Sequence, residues 1–96
     1  MNDQTKAAKP IDEVRLKGVR AAIWRNVTAD GRTVYNATIE RLYKNDQGDW
    51  KSSTSFGMND FLLAAKVFDR VHTKIAAMED RDRQERAANH AERGSR

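Results

Sequence analysis

Two histidines, His72 and His90, are the side chains best suited to catalysis or metal binding in this sequence. His72 falls on or beside the apolar stripe of a predicted helix, three residues after Asp69, with which it can form a hydrogen bond. A histidine in that setting is far more often a packed or rim residue than a ligand. His90 lies in a charged segment without large apolar side chains. Because a metal site needs several converging ligands, we expect no metal site and no bound cofactor.

Other catalytic patterns are missing from the sequence. It has no phosphate-binding loop, no dinucleotide fingerprint and no nucleophile elbow. It also has no cysteine, which excludes disulfides, thiolate metal sites and cysteine nucleophiles together. We therefore predict that the protein is not an enzyme and has no catalytic residue.

The more specific signal is the interleaving of basic and aromatic residues around Trp24. Arg20 and Arg25 flank this tryptophan on a predicted strand. A tryptophan that stands in water among cations is typical of a nucleobase-stacking platform, with neighbouring arginines contacting phosphate. The alternative is that Trp24 packs under the N-terminal segment or across a dimer interface, and the sequence does not separate the two readings.

Further cations continue this surface on later strands. Arg41 is expected on the core-side face near its open end, beside Tyr43 and Trp50, where it can stack on a ring or bridge to a bound strand. The predicted nucleic-acid-binding residues are Arg20, Trp24, Arg25, Arg41, Lys44 and Lys51.

Composition sets the wider limits. The chain has 96 residues, with 18 Lys and Arg against 14 Asp and Glu, a net charge of +4. This excess favours acidic partners such as nucleic acid. No apolar run approaches the roughly 18 residues of a membrane span, and residues 1–10 lack the apolar region of a secretory signal. We expect no membrane association and a cytoplasmic location.

The chain divides into three parts by composition. Residues 1–10 are polar and are predicted to be a flexible tail. Residues 11–78 carry the large apolar side chains and form the domain, whereas residues 79–96 alternate acids and arginines. This last part is either a charged extension of the helix or a disordered tail.

The domain is predicted to have an α+β fold, a curved antiparallel β-meander of three to four strands followed by one long C-terminal helix. Period-two alternation places strands at 14–17, 19–27, 33–44 and 50–56. A three-residue loop ending at Gly31 sets Ile23 opposite Ala37 and Ala21 opposite Ile39. A four-residue loop, Asn45–Gly48, sets Tyr43 opposite Trp50.

These registers assign the two faces of the sheet. The predicted core face holds Val19, Ala21, Ile23, Val27, Tyr35, Ala37, Ile39, Tyr43, Trp50 and Phe56. The predicted solvent face holds Arg20, Trp24, Asn26, Val34, Asn36, Thr38, Glu40, Leu42, Lys44, Lys51 and Ser53.

The helix is predicted to begin at an N-cap formed by Asn59. Its apolar stripe has helical spacing and comprises Phe61, Ala64, Ala65, Phe68, Val71, His72, Ile75 and Met78. Leu62, Leu63 and Val67 add more apolar surface than one small sheet can cover. We therefore expect a homodimer that forms through the C-terminal helix.

Several short motifs together resemble a family of small bacterial proteins without an assigned activity. The resemblance covers roughly residues 14–78 and is carried by Ile23-Trp24-Arg25-Asn26, Gly31, Tyr35, Arg41-x-Tyr43, Gly48-x-Trp50, Ser55-Phe56 and Asn59-Asp60-Phe61-Leu62. The order of strands and helix is similar to the whirly-type fold of plant Whirly proteins and positive-cofactor-type transcriptional coactivators. The resemblance implies a dimer whose strands form a groove for single-stranded DNA, and it assigns no role to a particular residue.

The sequence therefore favours a protein that binds single-stranded nucleic acid without strong sequence preference. DNA is favoured over RNA, and the expected role is that of an accessory factor in transcription or replication. The alternative is a protein–protein interaction module in which Trp24 anchors the interface.

Overall fold

The computed structural model of the protein describes residues 9–94, with side chains for residues 9–89. Four strands form one antiparallel sheet in the order β1-β2-β3-β4, with bounds Asp12–Leu16, Val19–Val27, Thr33–Lys44 and Trp50–Ser53. A 3₁₀ turn at Met58–Asp60 leads into one long helix, α1, which spans Phe61–Gly94. The predicted α+β meander with a C-terminal helix is confirmed.

The turn between β2 and β3 is the one that the sequence predicts. Gly31 adopts a φ of 86°, in the left-handed region that favours glycine. The hydroxyl of Thr28 accepts a hydrogen bond from the backbone N–H of Arg32 at 3.1 Å and so closes the loop. Ala21 lies opposite Ile39 and Ile23 opposite Ala37, and the predicted register is confirmed.

The turn between β3 and β4 differs from the prediction by one residue. The N–H of Asn45 donates to the carbonyl of Asp49 at 2.9 Å, so the loop holds three residues rather than four. The Asn45 side chain caps the loop by accepting hydrogen bonds from the N–H groups of Gln47 and Asp49, each at 2.9 Å. Lys44 consequently lies opposite Trp50, and the predicted pairing of Tyr43 with Trp50 is wrong.

A substitution at the end of this loop tests the turn. Gly48 has a φ of 83° and no heavy atom within 4 Å of an added Cβ, so its replacement is opposed only by the backbone conformation. We expect Gly48→Ala to lower the free energy of unfolding by about 1–2 kcal/mol in urea titrations. Gly57→Ala is the matched control, because Gly57 has a φ of −94°. Equal losses in the two variants would contradict the turn assignment.

The core lies between α1 and one side of the sheet, which we call the helix face. Its buried side chains come from the first two strands and from the helix: Val14, Val19, Ala21, Ile23, Val67 and Val71. Leu63, Ile75 and Met78 pack against this cluster. The opposite side of the sheet, which we call the open face, carries no helix in the part of the chain that the structure describes.

The buried stripe of α1 matches the predicted one in part, since Ala64, Val71, Ile75 and Met78 are buried or pack against the core as predicted. Val67 is fully buried and Leu63 packs against the core, whereas both were predicted to be surplus. Phe61 and Phe68, predicted to be central, are 51% and 50% exposed. Leu62, the third of the surplus residues, is 86% exposed. The two phenylalanines therefore lie at the flank of the helix rather than in the core.

The start of the helix differs from the prediction, in which Asn59 is the N-cap: a 3₁₀ turn at Met58–Asp60 comes first, and α1 begins at Phe61. The carboxylate of Asp60 accepts a hydrogen bond from the N–H of Gly57 at 3.0 Å, and Asn59 lies inside the 3₁₀ turn. The same carboxylate lies 3.6 Å from the guanidinium of Arg41. Asp60 therefore joins the start of the helix to β3.

The charged segment from residue 79 is helical as far as Gly94. The hydroxyl of Tyr35 on β3 donates a hydrogen bond to the carboxylate of Asp82, so this part of the helix is tied to the sheet. Ionising the phenol would place a second negative charge there, and the pKa of Tyr35 is raised above its ordinary value. Most of the predicted N-terminal tail, residues 1–8, and residues 95–96 lie outside the described residues.

Candidate nucleic-acid interface

Strand alternation brings a set of mostly polar and aromatic side chains to the open face. They follow from the observed registers. The set comprises Glu13, Arg15, Arg20, Ala22, Trp24, Asn26, Val34, Asn36, Thr38, Glu40, Leu42, Lys44, Trp50 and Ser52.

Trp24 lies near the middle of this face, at the wall of a cleft. The cleft has a volume of about 440 Å³ and is bordered by residues of the first three strands, including Glu13, Arg20 and Thr38. The indole N–H of Trp24 donates to the hydroxyl of Thr38 at 3.1 Å. Trp24 is half-buried, so its ring is held in place with part of its surface available to a ligand.

Arg20 is paired on both sides rather than free. Its guanidinium forms a close ion pair with Glu40 on β3 and lies 3.8 Å from the carboxylate of Glu13 on β1. The hydrogen bond donated by Arg20 lowers the pKa of Glu40 below its usual range, with a smaller contribution from a hydrogen bond donated by the hydroxyl of Ser52. The guanidinium that was predicted to contact phosphate is therefore paired with two carboxylates of the protein itself.

Trp50 lies on the open face, in contrast to its predicted place in the core. The one-residue shift of the second turn moves every side chain of β4 to the other side of the sheet. The side chain of Trp50 is 67% exposed, and the ammonium of Lys44 lies 5.6 Å from its ring centroid. This end of the face thus combines a large exposed aromatic ring with a cation.

Because of the same one-residue shift, Lys51 lies on the helix face rather than on the open face. Arg25 also lies on the helix face, because successive side chains of a strand alternate between the two faces. Lys51 lies opposite Tyr43 and Arg25 opposite Tyr35, both on the helix face. Of the predicted residues, Arg20, Trp24 and Lys44 lie on the open face, whereas Arg25, Arg41 and Lys51 do not.

Arg41 lies on the helix face, where its position was predicted. Its guanidinium donates to the carbonyl of Ser55 at 3.0 Å and lies 5.3 Å from the ring centroid of Tyr43. Together with its ion pair to Asp60, these contacts hold the β4–α1 connection on the sheet.

The histidines do not form a site. His72 is exposed on α1, and His90 lies beyond the side chains that the structure describes. Among the described side chains, those of residues 9–89, there is no cluster of three or more metal-ligating groups. Over residues 9–94, no helix is both long and apolar enough to cross a membrane.

Comparison with known proteins gives no relative. No protein-family model, curated protein or solved structure matches the chain. The resemblance to the whirly-type fold stays a prediction.

Proposed function

We propose that this protein binds single-stranded nucleic acid, DNA in preference to RNA, on the open face of its sheet. The observation that supports this most is that both tryptophans of the chain stand on that face, Trp24 in the cleft and Trp50 beside Lys44. Every nucleobase has a π-face, so stacking on these rings is tolerant of sequence. A role as an accessory factor in transcription or replication in the cytoplasm fits this activity.

The spacing of the two rings suits an extended strand. Trp24 lies opposite Asn36 and Trp50 opposite Lys44, and both of these partners are on β3. Eight residues of a strand span about 27 Å. A nucleic-acid strand that follows β3 can therefore stack on Trp24 and Trp50 with several nucleotides between them.

The cations have unequal roles in this proposal. Lys44 contacts phosphate next to a base stacked on Trp50. Arg20 contacts phosphate only by loosening its ion pairs with Glu13 and Glu40. Arg25, Arg41 and Lys51, which the sequence also suggested, lie on the helix face and are outside the proposed path.

Lys44 and Lys51 form a matched pair that tests which face binds. They lie on β3 and β4 of the same hairpin but on opposite faces of the sheet. We expect Lys44→Gln to weaken binding of an oligothymidylate and to reduce the salt slope by about 0.7, since one phosphate contact is lost. Lys51→Gln removes the same charge and should leave the slope unchanged. An equal effect of both would show that binding follows net charge rather than the open face.

A second function, protein–protein interaction, is favoured by the exposed apolar side chains near the start of α1. Met58, Phe61, Leu62 and Phe68 are each at least half exposed, from 50% for Phe68 to 86% for Leu62. Such a concentration on one short segment is typical of an interface. Its partner in our proposal is a second copy of the chain, which gives a homodimer with α1 at the interface.

Sedimentation equilibrium at micromolar concentration measures this association. We expect twice the chain mass of 11.0 kDa. Leu62→Lys is expected to shift the protein toward the monomer, whereas Lys66→Ala, a change of an exposed residue on the same helix, is not. A monomer at all concentrations would contradict the homodimer and leave the nucleic-acid proposal standing.

A further inference from the structure

One edge of β3 has no paired strand over most of its length in the part of the chain that the structure describes. The strand runs from Thr33 to Lys44, and β2 pairs with it from Thr33 to Arg41. On its other side, β4 pairs only with Arg41–Lys44. Within residues 9–94, the segment 33–40 therefore has no strand beside it on the β4 side.

The backbone groups that point to this open edge can be identified from the hydrogen bonds at the end of the strand. The N–H of Leu42 donates toward β2, to the carbonyl of Gly18 at 2.7 Å, whereas that of Asn45 donates to Asp49 beyond the second turn. Because these directions alternate along a strand, the odd-numbered residues aim their N–H and C=O groups outward. Those in the open segment are Thr33, Tyr35, Ala37 and Ile39.

Apolar side chains border this edge on the helix face. Ala37 is exposed and Ile39 is half-buried. Glu79 lines a surface cleft together with Thr33 and Tyr35. The side of α1 that carries Glu79 therefore faces β3. Phe61 and Phe68 precede Glu79 by about five and three helical turns, so they lie on that same flank. The unpaired backbone and the half-exposed phenylalanines thus belong to one surface.

We propose that a second copy of the chain pairs with this edge, β3 against β3 in antiparallel orientation, with Asn36 at the two-fold axis. The inference rests on the proposed homodimer and specifies its interface. An unpaired strand edge is a template for another strand, and antiparallel self-pairing satisfies the same groups on both copies and closes after two.

The side chains along the segment complement one another in this register. With Asn36 facing its own copy, the opposed pairs are Thr33 with Ile39, Val34 with Thr38, Tyr35 with Ala37 and Arg32 with Glu40. All outward backbone groups of the open segment then find partners. A shift of two residues either way would instead put Glu40 opposite Val34 or opposite Asp30.

The charges of the open face favour the same register. Glu13, Arg20 and Glu40 form an ion-paired set with one excess negative charge. The side chain of Arg32 is 77% exposed, and within the described residues its ion pair is with Asp30, at 3.6 Å. Placing Arg32 opposite Glu40 of the other copy supplies the missing cation.

This pairing joins the two open faces into one surface. Trp24 lies opposite Asn36, so the two copies of Trp24 flank the axis. They are separated by three strand spacings, about 14 Å. A single-stranded ligand that crosses the axis reaches both rings, and the dimer therefore binds a longer segment than one copy does.

Single-cysteine variants test the register directly, because the natural sequence has no cysteine. In the proposed pairing Asn36 faces its copy in a pair without mutual hydrogen bonds, where Cβ atoms lie about 4.5–5.5 Å apart. This is close to disulfide geometry. We expect Asn36→Cys to form a disulfide dimer in nearly all chains under mild oxidation. Val34→Cys and Thr38→Cys alone should stay largely uncrosslinked, and a mixture of the two should crosslink.

An edge-blocking variant gives a second measurement. Ala37→Pro removes an N–H that points to the open edge and leaves every hydrogen bond between β2 and β3 in place. We expect it to raise the dissociation constant of the dimer at least tenfold in sedimentation, whereas Ala76→Ser on the exposed side of α1 should not.

The outcomes of these experiments distinguish the β3 pairing from the proposed homodimer and from the proposed binding of nucleic acid. A stable dimer in which Asn36→Cys fails to crosslink would overturn the β3 pairing and leave the homodimer intact. A monomer would overturn both. Binding of an oligothymidylate is measured independently by fluorescence, so a monomer that still binds it would leave the nucleic-acid proposal unaffected.

Discussion

Replacing Ile23 by alanine is expected to cost about 2–5 kcal/mol of unfolding free energy, the range for truncating a fully buried isoleucine. Ile23 is 0% exposed, at the centre of the cluster that joins β2 to α1. Domains of this size have roughly 5–15 kcal/mol of stability in total, so the loss is a large share. Urea unfolding at a fixed protein concentration measures it, since association alters the apparent stability.

Val27→Ala is the matched control for this core prediction. Val27 lies on the same strand and the same face as Ile23, but it is 59% exposed at the end of β2. We expect a change within about 0.5 kcal/mol. If Ile23→Ala were as mild as Val27→Ala, the core would not lie between β2 and α1, and the assignment of the open face would fail with it.

The first hairpin could be predicted in detail because its turn residues are informative. Gly31 marks the left-handed position, and the loop length then fixes the register of β2 against β3. That register also sets Arg20 opposite Glu40, so their ion pair could have been predicted from the same turn.

The second hairpin was predicted one residue out of register, although its loop is built in the same way as that of the first hairpin. Thr28 and Asn45 each stand three residues before a left-handed glycine, and each caps its loop with a side-chain oxygen. Reading the two turns as one pattern would have given a three-residue loop for both. Because the error is one residue, it moved Trp50 and Lys51 to the wrong faces.

The buried side of the helix could not be predicted from its periodicity alone. The segment carries apolar residues around much of its circumference at its start, so more than one stripe satisfies helical spacing. In the structure Val67 is fully buried and Phe68 is half exposed. Which stripe is buried is decided by contacts with the sheet, and helical spacing alone does not reveal them.

Substitutions of the two tryptophans are expected to change the binding affinity and the free energy of unfolding to different extents. Trp24→Ala and Trp50→Ala should each weaken binding of an oligothymidylate by roughly 1–3 kcal/mol, as loss of one stacked base does. Trp50→Ala should change unfolding by less than about 0.5 kcal/mol, because the side chain is 67% exposed. Trp24→Ala should cost more stability than this, since its ring is half-buried and bonded to Thr38, yet less than the roughly 3–5 kcal/mol of a fully buried tryptophan.

Phenylalanine at the same positions provides the control. Trp50→Phe keeps a ring for stacking and should recover much of the affinity lost in Trp50→Ala. Trp24→Phe keeps a ring but loses the N–H that donates to Thr38. Any affinity that this variant fails to recover therefore measures how much the hydrogen bond to Thr38 contributes to positioning the ring. Fluorescence titration and urea unfolding of the same samples give both quantities. If both alanine variants fold and bind as tightly as the natural protein, the open face is not the binding surface, and the interface on α1 becomes the better explanation of what this domain does.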